Sequence, residues 1–419
     1  MSAPSVIVVG AGPVGCVAAA ALAARGIHVT LLEAAPRLPR QLRASTFHPA
    51  TLDVLEELAP GVVDEMLGRG LVAPRFAYRD RRNGVVARFD LGSLADVTRH
   101  PFRLQCEQYK LCEIMLERFE RAEHVRVCFG AEAVAAAAAG DAASVRLASG
   151  ETLTADAVVG ADGASSAVRK SLGLGFDGMT YEDRYLVLST PFEMAEHLSD
   201  LEYVNYISDP DEWLVLLRTP ELWRALFPVG DGETDAEALS DCSAQRRLNG
   251  VVARHEPYEV AHRTIYSVHQ RVADRFVVGR VVLMGDAAHI NNPLGGMGMN
   301  GGVHDAVLLG GSLAAVLLGD IGADRLDRHA ELRRKLAIEY VKRHTHENAV
   351  SLAAPDGAAR QRALDQMAAR AGDPDAARAY LLQASMINAV HAMRAELEEV
   401  GHVRHGGITP VSTSGAVPN

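Results

Sequence analysis

The sequence predicts an α/β protein: a Rossmann-type nucleotide-binding domain with a strand-rich insertion and C-terminal helices. Three observations predict it. The stretch VIVVGAGPVG at residues 6–15 reads as a buried strand entering a glycine turn. From about residue 183 to 280 the pattern turns strand-rich and then mixed, a change of architecture. Residues 281–319 then return to strand, glycine-rich loop and helix, so the nucleotide domain is expected to be completed late in the chain.

With 419 residues the chain exceeds the length at which one core keeps growing, which favours two closely packed domains. Hydrophobic residues make up 48% and charged residues 23%, with no apolar run near twenty residues, so no membrane span is expected. The start MSAPSVIVVG lacks a basic segment before its apolar run, and a cytoplasmic location is the expectation. A net charge of −11 repels a phosphate backbone and argues against nucleic acid as a partner. The five cysteines form no CxxC pair, which argues against a zinc site or disulfide framework; all five read as packing residues. No metal is expected.

In order, VIVV, GAGPVGCVAAAALAARG and IHVTLLE read as strand, turn with helix, and strand, the helix closing at a left-handed Gly26. Residues 49–69 predict one amphipathic helix opening at Pro49. Asn83-Gly84 between alternating segments predicts a hairpin. Residues 105–122 predict a helix, and VRVCFG a strand. The alanine run Ala135 to Ala139 favours helix by composition, but the Gly140-Asp141 and Ser149-Gly150 breaks leave pieces too short for one, so strands are expected. YLVLSTPF, EYVNYIS and EWLVLLR read as successive strands. Residues 324–400 read as helical, with an apolar stripe near the end that suits a packed or homodimer-forming helix.

Gly10, Gly12 and Gly15 carry the GxGxxG spacing, which lets a pyrophosphate approach bare N–H groups at the positive end of a helix. Glu33 ends the next strand, where its carboxylate can accept from a ribose diol and repel a 2′-phosphate. This turn alone does not separate FAD from NAD. Two later stretches add to it: VVGADGASSAVR, in which a buried strand runs into Asp162-Gly163, and VVLMGDAAHINNPLGGMGMNGGVHDA, which leaves a strand at Gly285-Asp286 and turns through Pro293 into a helix.

With GAGPVG, GADGASSAVR and GDAAHINNPLGGMGMNGG in this order, the chain resembles the flavin-dependent aromatic hydroxylases, single-component monooxygenases of the para-hydroxybenzoate hydroxylase fold, over roughly residues 5–345. The resemblance implies an FAD-binding domain at residues 1–72, 101–182 and 275–345, and a substrate domain at 73–100 and 183–274. Residues 346–404 would form a C-terminal helical region and 405–419 a disordered tail.

The resemblance also implies roles. Asp286 would bind the ribityl and pyrophosphate region of FAD, with Asp162 and Arg169 in support, Arg43 at the pyrophosphate and Gln105 at a helix start beside the flavin. Gly295, Gly298, Met299 and Asn300 belong to the loop and helix entry aimed at the flavin, where a helix dipole stabilises negative charge. Catalytic candidates are Pro293, at the turn of this loop, and His48, which as a neutral imidazole would take a phenolic proton; a packed or helix-capping histidine is the bland alternative. His289 reads as structural. Arg218 is the candidate substrate clamp, against a merely structural arginine.

The implied chemistry is hydroxylation of a phenolic, aromatic-acid or heteroaromatic small molecule by O₂ through a flavin C4a-hydroperoxide. NADH or NADPH would serve as transient co-substrate, since no second glycine turn is present. An oxygen-independent reductase of the geranylgeranyl reductase type is the alternative. Halogenation is disfavoured, because neither Trp213 nor Trp223 lies in a WxWxIP motif.

Overall fold

The computed structural model describes residues 3–352 and 357–399. Its first layer is a six-stranded sheet in the order Val277–Val278, Val281–Leu283, Ala157–Gly160, Ser5–Val9, His28–Glu33, Val125–Phe129. All neighbours are parallel except the first pair, as expected of strands connected through crossovers. Ala157–Gly160 is buried at every position, the continuous apolar run of a strand covered on both faces. The helices Pro13–Ala23 and Met297–Leu317 pack on this sheet and share its main core.

The second layer is an eight-stranded sheet in the order His289–Ile290, His262–Ala273, Phe176–Thr190, Trp223–Pro228, Leu214–Arg218, Val204–Ser208, Arg75–Asp80, Gly84–Asp90. Only Val204–Ser208 and Arg75–Asp80 run parallel. Its two faces pack differently. Leu214, Leu216, Trp223, Ala225 and Phe227 form a separate core with helix Asp241–Val251, whereas Tyr185, Tyr206 and Val215 join the main core. Helices Ala323–Leu352, Gly357–Gly372, Pro374–Ala384 and Ile387–Glu399 follow. Among the described residues no helix is long and apolar enough to cross a membrane.

The hairpin forms as expected, with Gly84 at φ +85° pairing Asp80 across the turn. The alanine run does become the strand Ala133–Ala139, because the antiparallel partner Ala142–Leu147 supplies pairing that outweighs helix propensity. Three expectations are corrected. Residues 49–69 are two helices, Pro49–Leu58 and Val62–Leu67, broken where Pro60 meets a left-handed Gly61. The helix expected over 105–122 begins at Gln108, and Gln105 ends the strand Arg103–Gln105. Cys242 is exposed on helix Asp241–Val251, so it is not a packing residue; Cys16, Cys106 and Cys112 are buried. The expected tail at 405–419 lies outside the described residues.

Candidate functional site

The glycine turn is built from close approaches. Gly10 has φ +101°, and a Cβ there would stand 2.5 Å from the Ala161 carbonyl oxygen; a Cβ on Gly15 would stand 1.8 Å from the Gly10 oxygen. Gly10 must be glycine for the turn to close against residues 161–162, and Gly15 for the helix to close against Gly10. Gly12 differs: a Cβ there would meet nothing within 4 Å. As N-cap of Pro13–Ala23 it leaves helix N–H groups without a side-chain acceptor, facing open space that suits an anionic group.

Glu33 stands half-buried beside this turn and accepts from the Ala11 and Ala35 main-chain N–H groups, both at 3.0 Å. It therefore ties the turn to the end of its neighbouring strand, with lone pairs left for a ribose. Asp162 accepts from Ser166 Oγ at 2.5 Å and from the Val168 N–H at 3.1 Å, closing the start of helix Ala167–Ser171. Arg169 donates to the carbonyls of Ala287 and Ala164 and stacks over Phe176. Arg169 thus braces the second loop at Ala287, and Asp162 holds the start of the helix that carries it.

That second loop joins the two sheets. It leaves the six-stranded sheet at Leu283, adds His289–Ile290 to the edge of the eight-stranded sheet, and enters helix Met297–Leu317 at Gly296. Gly295 and Gly296 have φ +100° and +68°, left-handed values that turn the chain into the helix. Pro293 is exposed, and its carbonyl accepts the Gly296 N–H at 3.0 Å. Gly298, in the first turn, has open space where a Cβ would project, and Met299 is buried beside it.

Asn300, fully buried, holds the entry. Its Nδ2 donates to the carbonyls of Thr46 and Gly296, and its Oδ1 accepts the His48 N–H at 3.0 Å. His48 is likewise sealed, with Nε2 2.9 Å from the Gly295 carbonyl oxygen. It stands at the N-cap of Pro49–Leu58, yet its side chain does not cap that helix. Thr46 Oγ1 donates to Gln105 Oε1 at 2.9 Å, while Gln105 Nε2 is buried with no acceptor among the described residues.

Asp286 is half-buried, and no described residue donates a hydrogen bond to its carboxylate. Burial raises its pKa above the ordinary carboxylate range, partly countered by His289 and the charge of Arg43. A carboxylate awaiting donors, an amide awaiting an acceptor and an uncapped helix end fit the hydroxyls, carbonyls and phosphates of a bound dinucleotide.

A buried network fixes this loop and was not legible beforehand. Asp305 accepts from the Gly285 N–H at 3.0 Å, His289 Nε2 at 2.6 Å and Arg333 Nε at 2.6 Å. Those partners hold its pKa far below the ordinary range against the effect of burial. Arg333 also donates to the Gly301 carbonyl. His289 is thus structural, as expected. An acid inside the apolar run GGVHDAVLLGG was the available signal for Asp305.

Arg43 is exposed, and the loop carrying it is fastened by Arg224, which donates to the carbonyls of Leu42 and Arg43 and to Ser45 Oγ. Tyr266 adds a bond to the Leu42 carbonyl. Arg218 lies elsewhere. It alternates with Leu214 and Leu216, on the sheet face packed against helix Asp241–Val251, and pairs with Glu193 at 3.1 Å beside Trp223. This placement favours the structural arginine over the substrate clamp.

Comparison with known proteins agrees with this geometry. Residues 4–344 match the model of a family described as FAD binding domain. Para-nitrophenol 4-monooxygenase of Pseudomonas sp. (strain WBC-3) is 32% identical over 406 residues, covering 94% of this chain and 98% of that protein. The 6-hydroxy-3-succinoylpyridine 3-monooxygenase of Pseudomonas putida is 32% identical over 348 residues, 82% of this chain and 87% of that one. The solved p-nitrophenol 4-monooxygenase from Pseudomonas putida DLL-E4 superposes with a TM-score of 0.85 at 30% identity, over 91% of this chain and 97% of that chain. The chain therefore belongs to the FAD-binding-domain family, as an FAD-dependent enzyme among its aromatic monooxygenases.

Proposed function

We propose that the protein uses NADH or NADPH and O₂ to hydroxylate a small phenolic, aromatic-acid or heteroaromatic substrate. The observation that carries this reading is the segment 281–300, which pairs first in the six-stranded sheet and then at the edge of the eight-stranded sheet before opening helix Met297–Leu317. In this reading segments 1–72, 101–182 and 275–345 hold FAD, and 73–100 with 183–274 hold the substrate.

The pyrophosphate is held by the N–H groups after Gly12, with Arg43 supplying positive charge nearby. Glu33 takes the adenosine ribose. Asp286 takes ribityl hydroxyls, its missing donors being those hydroxyls. Gln105 Nε2 donates toward the isoalloxazine. When bound, FAD supplies two-electron exchange with the nicotinamide and activates O₂ for insertion into an electron-rich ring. The protein's own share is placement, exclusion of water and a fixed dipole: the first turn of Met297–Leu317 aims positive partial charge at the flavin. Pro293, exposed on the same loop, would meet the substrate in this reading. His48 holds Gly295 in place, its Nε2 donating to that carbonyl.

The oxygen-independent reductase loses support, because the relatives named above carry monooxygenase names. The test is turnover of the FAD-loaded protein with phenols and aromatic acids under isotopically heavy O₂. One labelled oxygen per product molecule is expected; consumption of NADH or NADPH that yields only hydrogen peroxide with every candidate overturns the proposal.

A further inference from the structure

Six arginines are buried among the described residues: Arg79, Arg103, Arg169, Arg224, Arg247 and Arg333. Five have acceptors. Arg79, Arg169 and Arg224 donate to main-chain carbonyls, Arg247 pairs with Glu212 and Glu233, and Arg333 pairs with Asp305. Arg103 is the exception. It is 3% exposed, its Nε is enclosed without an acceptor, and neither a hydrogen bond nor an ion pair joins its guanidinium to any described residue. A buried cation without a counter-charge is costly, so a site that keeps one implies an anion from outside.

The surroundings are aromatic. The guanidinium carbon stands 4.1 Å from the Phe76 ring centroid. Phe76 contacts the rings of Tyr78, Tyr206 and Tyr380, and the Tyr78 and Tyr380 hydroxyls share a 2.9 Å hydrogen bond. Ring faces steady a cation but leave its in-plane N–H groups unanswered.

The location ties this group to the site. Arg103 and Gln105 are alternate residues of one strand, so their side chains leave the same face about 7 Å apart. Gln105 bonds Thr46, whose carbonyl is held by Asn300 of the cofactor loop. Arg103 is thus one strand repeat from Gln105 on the same face, about the length of a substituted benzene ring.

We propose that Arg103 receives an oxyanion of the aromatic substrate, a ring carboxylate or an ionised acidic phenol, and so sets a preference for anionic aromatics. This inference rests on the hydroxylase reading above and names its substrate class. A planar guanidinium suits either group, binding two oxygens of a carboxylate or one of a phenolate.

The test uses FAD-loaded protein and matched probes, with binding read from the change in flavin absorbance. 4-Hydroxybenzoate and 3-hydroxyphenylacetate are compared with their amides, and 4-nitrophenol with 4-hydroxybenzyl alcohol, so that the carboxylate and phenolate arms are read separately. At least one anion should bind about tenfold or more tighter than its neutral partner. Arg103→Met should abolish that difference, and Arg103→Lys should retain part of it. The FAD dissociation constant should stay the same, and the melting temperature of Arg103→Met without probe should be unchanged or raised.

Equal binding of anions and neutral partners, or binding of none of the anions, overturns the proposal. So does a loss of stability or FAD in Arg103→Met, since that marks a structural arginine. If the neutral probes bind and gain oxygen as well as the anions do, the hydroxylase reading stands while this one fails.

Discussion

The Nε2 atom of His48 lies 2.9 Å from the carbonyl oxygen of Gly295, and because a carbonyl only accepts, the imidazole carries its proton on that nitrogen. His48 is therefore a strut between the start of helix Pro49–Leu58 and the left-handed turn at Gly295 and Gly296. His48→Ala should weaken FAD retention, with a loss of about 0.5–1.5 kcal/mol for one such bond. Coupling of NAD(P)H oxidation to product should fall by the same factor at every pH. A defect that shrinks as pH approaches the phenol's own pKa would instead make His48 the base.

Asp286 carries a stability cost in the apoprotein. Its pKa is raised by burial, so the native apoprotein resists the ionisation that the unfolded chain undergoes freely. The sign follows: below the ordinary carboxylate range the group costs nothing, and the penalty appears as pH rises toward and through the raised value. Asp286→Asn should raise the melting temperature of apoprotein at neutral pH, with the gain vanishing in acid. The same variant should hold FAD more weakly, measured by flavin fluorescence on dilution.

Glu33 braces the glycine turn, and in the proposed reading it also holds the ribose. Glu33→Ala removes the acceptor of the Ala11 and Ala35 N–H groups and should cost about 1–2 kcal/mol of stability, read from the denaturant midpoint. It should also weaken FAD binding through the lost ribose contact. Glu33→Gln, which keeps one acceptor, should fall between. FAD affinity equal to the parent in both variants would place the ribose elsewhere.

Acid should unfold the protein partly through His304. Buried against Thr51, and with Arg333 nearby, its pKa is lowered to about 3, chiefly by burial. Below about pH 6.5 the unfolded chain takes up a proton that the native state refuses, costing up to about 1.4 kcal/mol per pH unit. The contribution is intact above that value and is lost as pH falls toward 3. His304→Gln should flatten this part of the stability profile, followed by thermal melts between pH 7 and 4.

The glycines of the first turn and the GD loop were legible because each is written within a few adjacent residues, and Glu33 because it ends the strand that follows the glycine turn's helix. Spacing there reflects local backbone geometry, and geometry repeats. Asp305 with Arg333, Arg224 with the 42–45 loop, and Arg103 beneath the aromatic rings were not legible. Each depends on which distant segments meet, and an arginine's letter does not reveal whether its partner is a carbonyl, a carboxylate or nothing. Arg218 illustrates the difficulty: its strand was foreseen, but its face was decided by how the sheet packs on helix Asp241–Val251. Gln105 was expected at a helix start because LQCEQYKL has helical spacing throughout, and only pairing with Thr46 and Leu71 makes it a strand end.

The strand Val281–Leu283 finishes the parallel ladder beside Ala157–Gly160, with five of the eight strands of the second sheet made in between. During synthesis on the ribosome, the early βαβ half must therefore wait with the apolar flank of Ala157–Gly160 unpaired, a template for wrong partners. The nascent chain gains the grip of Asp305 on Gly285 only after that wait, so the loop 285–300 is fixed late in biogenesis. Slower elongation or a lower growth temperature through that interval should bear directly on how much flavinated protein a cell recovers.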